Sequence, residues 1–337
     1  MMNFRELAQE VVEGRRFGRD EDLSFFIDGD LAALQAGADL IRAHFCGNRV
    51  DLCTIISGRM GKCEEDCRFC AQSGHHNTGI VGYPFLGEDE ILESALENEQ
   101  CGVHRFSIVT SGRSLRGADF EKALQVYQKL HEKCQFGLCA SFGLLNREQF
   151  RRLRQVGVES YHENIETSRR NFPNICTTHT YEDKIESIQI AQEEGFCVCS
   201  GFIIGMGEDW PDRLDMAISL RELGIESIPI NVLIPIPGTP FGGLPQLPKE
   251  DAYRTIAFCR FINPTAHIRL GAGRKVLENN GETAFKGGAS ATITGNLLTT
   301  SGFTIAEDKK MLERIGREVA GIEGRGLCRP TRMDEKN

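Results

Sequence analysis

From about residue 50 the chain alternates short apolar, β-branched runs with longer stretches whose apolar residues recur every three or four positions. The first kind of run fits buried strands, the second amphipathic helices. The strand candidates are VDLCTIIS (50–57), HRFSIVTS (104–111), CQFGLCAS (134–141), VGVESYHE (156–163), FCVCSGFIIG (196–205), ESIPINVLI (226–234), AHIRLGAG (266–273) and GASATITG (288–295). Between them the spacing predicts helices over 88–101, 119–133, 146–157, 180–195, 210–224 and 249–262, then a run over 274–285 and a last helix over 306–321. Gly157, Gly195 and Gly224 each stand just before a strand, where a helix ends in a left-handed residue. Residues 1–48 read as helical and polar on one face, with Asp20, Glu21 and Asp22 starting a helix.

Eight strands, each followed by a helix, over about 270 residues predict an α/β fold of the (β/α)8 TIM-barrel class. A doubly wound sheet is the alternative. No linker divides the chain, so the expected organisation is an N-terminal helical extension over 1–48, a barrel over 49–322 and a frayed polar tail over 323–337.

Composition narrows the function. The chain has 337 residues, 40% hydrophobic and 26% charged, with a formal net charge of -9, ordinary for a water-soluble domain and unfavourable for an extended nucleic-acid surface. No apolar run reaches membrane-spanning length, and MMNFRELAQEVVEG does not read as a secretion signal. Cytoplasmic placement is therefore expected, where thirteen cysteines imply metal ligands rather than a disulfide framework.

Three of those cysteines stand together in GKCEEDCRFCAQS: Cys63, Cys67 and Cys70. They follow the first strand, where the first loop leaves the C-terminal face of a barrel and barrel chemistry collects. Three thiolates are one short of a closed tetrahedral zinc site or a fully ligated four-iron cube. An iron–sulfur cube held this way keeps one iron open to a substrate or cofactor. The alternatives are a structural zinc completed by His75 or His76, or unligated thiols.

Several separate blocks carry a resemblance. They are CEEDCRFCAQS (63–73), YHENIETS (161–168), CTTHTYEDKIESI (176–188), VCSGFIIGMGE (198–208), SIPINVLIPIPGTP (227–240), INPTAHIRLGAGR (262–274) and ITGNLLTTSG (293–302). Over roughly residues 40–317 the chain resembles the radical S-adenosylmethionine (SAM) enzymes, and among them the biotin synthase family. The cysteine spacing alone indicates only the superfamily; its combination with HIRLGAGR and SIPINVLIPIPGTP narrows it.

The resemblance implies that Cys63, Cys67 and Cys70 hold a 4Fe–4S cluster whose open iron binds SAM. Reductive cleavage of SAM then yields a 5′-deoxyadenosyl radical that takes hydrogen from an unactivated carbon. Dethiobiotin is the implied substrate; two SAM are used per biotin, and an auxiliary iron–sulfur cluster supplies the sulfur. Phe69 is implied beside the adenine, Asn164 at SAM or dethiobiotin, and Glu166 at the ribose hydroxyls. Gly205, Gly207 and Glu208 are implied near the methionine end of SAM, His162 at a wall of the substrate site, and Asn231 at the ureido ring. Each has a plainer alternative: loop packing for Phe69, a simple turn for GMGE with Glu208 capping the next helix, a structural histidine, and an asparagine satisfied by backbone.

The best-known members hold a 2Fe–2S auxiliary cluster with three cysteines and an arginine. Cys139, Cys199 and Arg269 match three of these positions, but the second-strand cysteine is Ser107 here. Cys53, in the first strand, is an added thiol. This set resembles the variant of obligate anaerobes, expected to hold a larger, sulfur-rich cluster on Cys53, Cys139, Cys199 and Arg269. The alternatives are Cys53 as core filler and Arg269 in a salt bridge, with Arg274 as a partner to an acid. Cys197 shares the parity of Cys199 and is a further ligand candidate, whereas Cys46, Cys101, Cys134, Cys176, Cys259 and Cys328 read as inert. The family also implies a low-potential flavodoxin or ferredoxin as electron donor, cluster-assembly or sulfur-donor proteins, and a homodimer. The competing function is a related radical SAM enzyme, such as a hydrogenase-cofactor maturase or methylornithine synthase.

Overall fold

A computed structural model describes residues 2–295 and 302–320. The expected tail over 323–337, Cys328 and part of the 293–302 block lie outside the described residues.

Within them, β1 (Arg49–Arg59), β2 (Arg105–Thr110), β3 (Gly137–Ser141), β4 (Ser160–His162), β5 (Cys197–Cys199), β6 (Phe202–Ile204), β7 (Ser227–Val232), β8 (His267–Leu270) and β9 (Ala291–Ile293) all pair in parallel. The sheet closes because β9 returns to β1, with Asp51, Leu52 and Cys53 opposite Ala291, Thr292 and Ile293. That closure excludes the doubly wound alternative. β5 and β6 together form one stave, so the barrel has eight.

The fifth stave is broken, which differs from the single strand expected over 196–205. The break falls at Ser200 and Gly201, where a Cβ on Gly201 would stand 1.8 Å from the Pro229 carbonyl oxygen. The neighbouring backbone is admitted only because position 201 has no side chain.

Helices α4 (Glu88–Gln100), α5 (Gly117–Lys133), α6 (Arg147–Gln155), α7 (Tyr181–Glu193), α8 (Trp210–Glu222) and α9 (Lys249–Ile262) follow successive staves. Gly157, Gly195 and Gly224 take φ of 88°, 81° and 68° just past α6, α7 and α8, as their places predict. Three expectations are corrected. Asp20–Asp22 start no helix: Asp22 accepts from the Ser24 amide, and the first 48 residues fold as α1 (Phe4–Val12), α2 (Phe25–Asp28) and α3 (Leu31–Cys46), the last capped by Asp30. The run over 274–285 breaks into 3-10 turns and a short α10 (Glu282–Phe285), because Asn279 and Asn280 adopt left-handed backbone. The last helix, α11 (Ile305–Arg314), stops before Gly316 (φ 69°), and Glu318–Val319 forms a short β10 beside Arg49 and Val50 of β1.

The N-terminal helices cover one side of the barrel through aromatic packing. Phe4 and Phe26 meet Phe261 of α9 with ring centroids 6.0 and 5.4 Å apart. No helix among the described residues is long and apolar enough to cross a membrane.

Candidate active site

Strand alternation sends every second residue into the barrel. The inward residues of β1, β2, β3, β5 and β8 line a cavity of about 360 Å³, and Cys70 and Phe69 from the cysteine loop line its mouth. The loop is held from both sides. The Cys63 amide donates to the Gln72 carbonyl at 3.1 Å, and the Cys70 amide to the Cys67 carbonyl at 2.9 Å. Asp66 accepts from the Thr177 amide at 2.8 Å, tying the loop to segment 175–179.

Cys63, Cys67 and Cys70 are free thiols. Burial pushes Cys70 up to about 11 and raises Cys63; Cys67 is raised by its hydrogen bond to Cys176 and by burial. All three therefore keep their protons until a cation replaces them. Three soft donors outside any disulfide on one ordered loop, one facing the cavity, fit an iron–sulfur centre. Among the described residues neither His75 nor His76 groups with these cysteines as a set of metal donors, and their Nε2 atoms lie 3.0 and 3.1 Å from the carbonyl oxygens of Glu64 and Cys67.

Asn164, Glu166 and His162 line the cavity, as alternation along the fourth stave predicts, although β4 itself ends at His162. Asn164 Oδ1 accepts from the Gly201 amide at 3.0 Å, and its Nδ2 lies 3.4 Å from Glu166 Oε2. Glu166 has φ of 65°, a left-handed backbone that costs a non-glycine residue about 1 kcal/mol or more and concentrates at functional sites. Burial raises its pKa, with Lys184 opposing.

The GMGE turn is closed by its own carboxylate. Gly205, Gly207 and Glu208 do not line the cavity. The buried Glu208 carboxylate closes its own turn, accepting from the Gly205 and Met206 amides at 2.8 and 2.7 Å and from Arg213 Nε at 2.8 Å. Asp209, not Glu208, caps α8. Glu208 thus shapes the turn and has no carboxylate oxygen left uncommitted.

Asn231 lines the cavity with its amide half used. Oδ1 accepts from the Ala272 amide at 2.8 Å, and Nδ2 donates to the Phe202 carbonyl at 3.3 Å. One N–H and one lone pair remain. Gly271 permits this, since a Cβ there would lie 2.3 Å from Oδ1.

Deeper in the barrel Cys53, Cys139 and Cys199 line the same cavity with Ser107 and Arg269. Ser107 is directly opposite Cys139 in the β2–β3 register. Burial pushes Cys53 up to about 11 and Cys139 up to about 12. Burial also opposes ionisation of Cys199, but the hydrogen bond with His162 and the charge of Arg269 bring it down to about 7. Three thiols, two buried and Cys199 half-buried, that sense one another's charge beside a guanidinium fit a second iron–sulfur centre.

Arg269 is already partnered. Nη2 donates to Asp51 Oδ1 at 2.6 Å, Nε to Ser227 Oγ at 3.3 Å and Nη1 to the Thr292 carbonyl at 3.2 Å. Asp51 also accepts from Arg105 at 3.3 Å. This pairing holds Arg269 as a cation and keeps Asp51 well below the usual carboxylate range. Arg274 finds its acid in Asp308, away from the cavity. Cys197 does not line the cavity; its Sγ lies 3.4 Å from Glu226 Oε2.

Three groups escaped the sequence reading. Asp51 resembles any strand-end acid. Lys184, in EDKIES, resembles a solvated helix position, yet its side chain is 12% exposed and its Nζ pairs with Glu163; Glu163 and Glu166 keep it charged against its burial. Cys176, read as inert, places Sγ 3.8 Å from Cys67 Sγ.

The family model described as the Radical SAM superfamily matches residues 59–220, and the Biotin and Thiamin Synthesis associated domain matches 229–318. The biotin synthase of Alkaliphilus metalliredigens is 56% identical over 315 residues, 94% of this chain and 99% of that one. The biotin synthase of Clostridium beijerinckii is 55% identical over 314 residues, 93% of this chain and 99% of that one. Among solved structures, methylornithine synthase superposes with a TM-score of 0.81 at 20% identity, covering 94% of this chain and 98% of that one. A maturase of the [FeFe]-hydrogenase superposes with a TM-score of 0.79 at 17% identity, covering 94% and 74%. The two structural likenesses speak to fold alone, whereas identity above one half across nearly the whole length places this chain in the biotin synthase family of radical SAM enzymes.

Proposed function

We infer that the chain converts dethiobiotin to biotin by SAM-dependent radical sulfur insertion. The observation that carries this reading is one cavity bounded by Cys70 at its mouth and by Cys53, Cys139 and Cys199 in its depth. A substrate held between the two thiol groups meets both the hydrogen-abstracting and the sulfur-donating ends of the reaction.

In this reading Cys63, Cys67 and Cys70 hold the 4Fe–4S cluster, which when bound supplies the electron that cleaves SAM. Phe69 packs at the cofactor side. Asn164 and Glu166 offer hydrogen-bond partners to the ribose, and Lys184 supplies a buried cation near the same loop. Gly205, Gly207 and Glu208 act by fixing the turn after β6. His162 sits between the cofactor side and Cys199, and Asn231 presents its remaining N–H and lone pair to the ureido ring. Cys53, Cys139 and Cys199 hold the auxiliary cluster, with Arg269 beside it as a cation and Ser107 packing next to Cys139. Residues 1–48 serve as a helical extension to a catalytic barrel over 49–322. The working setting is the cytoplasm, with a homodimer, a low-potential flavodoxin or ferredoxin, and a sulfur or cluster donor as partners.

Anaerobic protein given SAM, a low-potential reductant and dethiobiotin should form biotin. Turnover of another substrate without biotin would move the chain to the methylornithine synthase or maturase side. For the auxiliary ligands, Cys53→Ala should lose auxiliary iron and biotin formation while keeping SAM cleavage, and Ser107→Ala should keep the auxiliary iron. The reverse pattern would make Cys53 a packing residue.

A further inference from the structure

The segment that pins the cysteine loop carries donors of its own. Cys67 Sγ and Cys176 Sγ are 3.8 Å apart, and Cys176 Sγ and His179 Nδ1 are 3.2 Å apart. The three atoms all lie within 4.8 Å of one another. Glu65 Oε2 contacts the same His179 Nδ1. Cys176 and His179 are buried, and Cys67 is half-buried.

These separations match the edges of a coordination tetrahedron. With thiolates at about 2.3 Å from zinc, neighbouring sulfurs stand roughly 3.8 Å apart, and a sulfur–imidazole edge is roughly 3.5 Å. The sulfur–sulfur edge agrees and the sulfur–nitrogen edge is a few tenths of an ångström short. Two thiols and an imidazole are also a donor set that suits zinc-type ions. The groups are now joined by shared protons, and a cation that displaces those protons would draw on the same lone pairs. Cys63 and Cys70 have no part in this set.

We propose that the cluster-free chain binds one tetrahedral divalent cation of the zinc type on Cys67, Cys176 and His179, with water completing the fourth position. An ion held by Cys176 and His179 keeps the Cys67 thiolate on that segment, so this ion and the SAM-binding cluster compete for it and exclude each other. The ion-bound chain keeps one cluster thiol occupied and does not take up the cluster until the ion is removed. The exclusion rests on Cys67 as a cluster ligand in the function proposed above; the site itself does not.

The probe is cobalt(II), titrated anaerobically into the metal-free full-length chain. One equivalent should give the absorption of tetrahedral, thiolate-bound cobalt, and zinc should displace it. Cys176→Ser and His179→Gln should each lose that spectrum, while a Cys63→Ser, Cys70→Ser double variant should keep it. Far-ultraviolet circular dichroism of each metal-free variant checks that it is folded. Loss in the double variant with retention in Cys176→Ser would put the ion on the cluster loop and overturn the proposal, as would no binding by the unmodified chain. In a second arm, one equivalent of zinc before reconstitution should block iron uptake by the cysteine loop in the unmodified chain but not in Cys176→Ser. Equal iron uptake with and without zinc, in a chain whose cobalt site is proven, would overturn the exclusion and release Cys67 from the cluster.

Discussion

Replacing Asp51 with asparagine takes away a carboxylate that Arg269 and Arg105 share at the floor of the barrel. The geometry sets the size of the effect. Arg269 reaches Asp51 at 2.6 Å with side chains 4% and 10% exposed, and Arg105 reaches it at 3.3 Å from a side chain 11% exposed. Water screens neither contact appreciably. Breaking a buried pair by removing one partner costs about 3–5 kcal/mol, because the remaining charge stays buried. The metal-free chain should therefore unfold at lower urea; with a slope of about 3 kcal/mol per molar, the midpoint falls by about 1 M or more. The control is Glu121→Gln, which breaks the Arg152 pair at a similar 2.6 Å but between side chains 37% and 55% exposed. Exposed pairs of that kind contribute little, so its midpoint should stay where it was. The pH dependence has a definite sign. Asp51 has a depressed folded-state pKa, so its contribution is complete above the unfolded value near 3.9 and is lost as pH falls through the folded value. Asp51→Asn should lack that acid-side loss. If the two variants unfold at the same urea concentration, the buried pair is not what holds the barrel floor.

Two further substitutions separate positioning from chemistry. Gly271→Ala would place a Cβ 2.3 Å from Asn231 Oδ1, so the amide must move; KM for dethiobiotin should rise while SAM cleavage persists, and an unchanged KM would remove Asn231 from the substrate site. Glu208→Gln weakens two backbone contacts and leaves Arg213 without its nearest buried carboxylate, so it should destabilise the chain by about 1–3 kcal/mol and weaken SAM binding through the turn, read by thermal unfolding and equilibrium binding.

The barrel was legible because each strand run is apolar and short and α6, α7 and α8 are each followed by a glycine that takes positive φ. What periodicity could not supply was the break at Gly201, which depends on how closely Pro229 approaches from the next stave. The ends of the chain were misread for a similar reason. Spacing extends α11 smoothly past Gly316, but the residues beyond it pair with β1, more than 250 positions away. In the site, the cysteine spacing and the alternation of Asn164 and Glu166 were local signals. The contacts of Glu208 with its own turn amides and with Arg213 are not visible in the GMGE spacing. Asp51, Lys184 and Cys176 act through partners on distant segments, and no spacing rule brings such pairs together.

Position 51 also bears on why the auxiliary site departs from the better-known ligand set. Asp51 and Cys53 are two residues apart on β1, so they share a face of that strand. One contributes a thiol to the cavity; the other engages the arginine that lines it. An arginine that coordinates a metal must lend a lone pair, which a protonated guanidinium lacks. The Asp51 contact favours the protonated form, and Ser227 and the Thr292 carbonyl occupy further N–H groups. The strand that supplies the added thiol thus also supplies the acid that pairs with Arg269. With Ser107 offering only a hard hydroxyl across from Cys139, the sulfur donors deep in the cavity are Cys53, Cys139 and Cys199, and the paired Arg269 places a positive charge beside them.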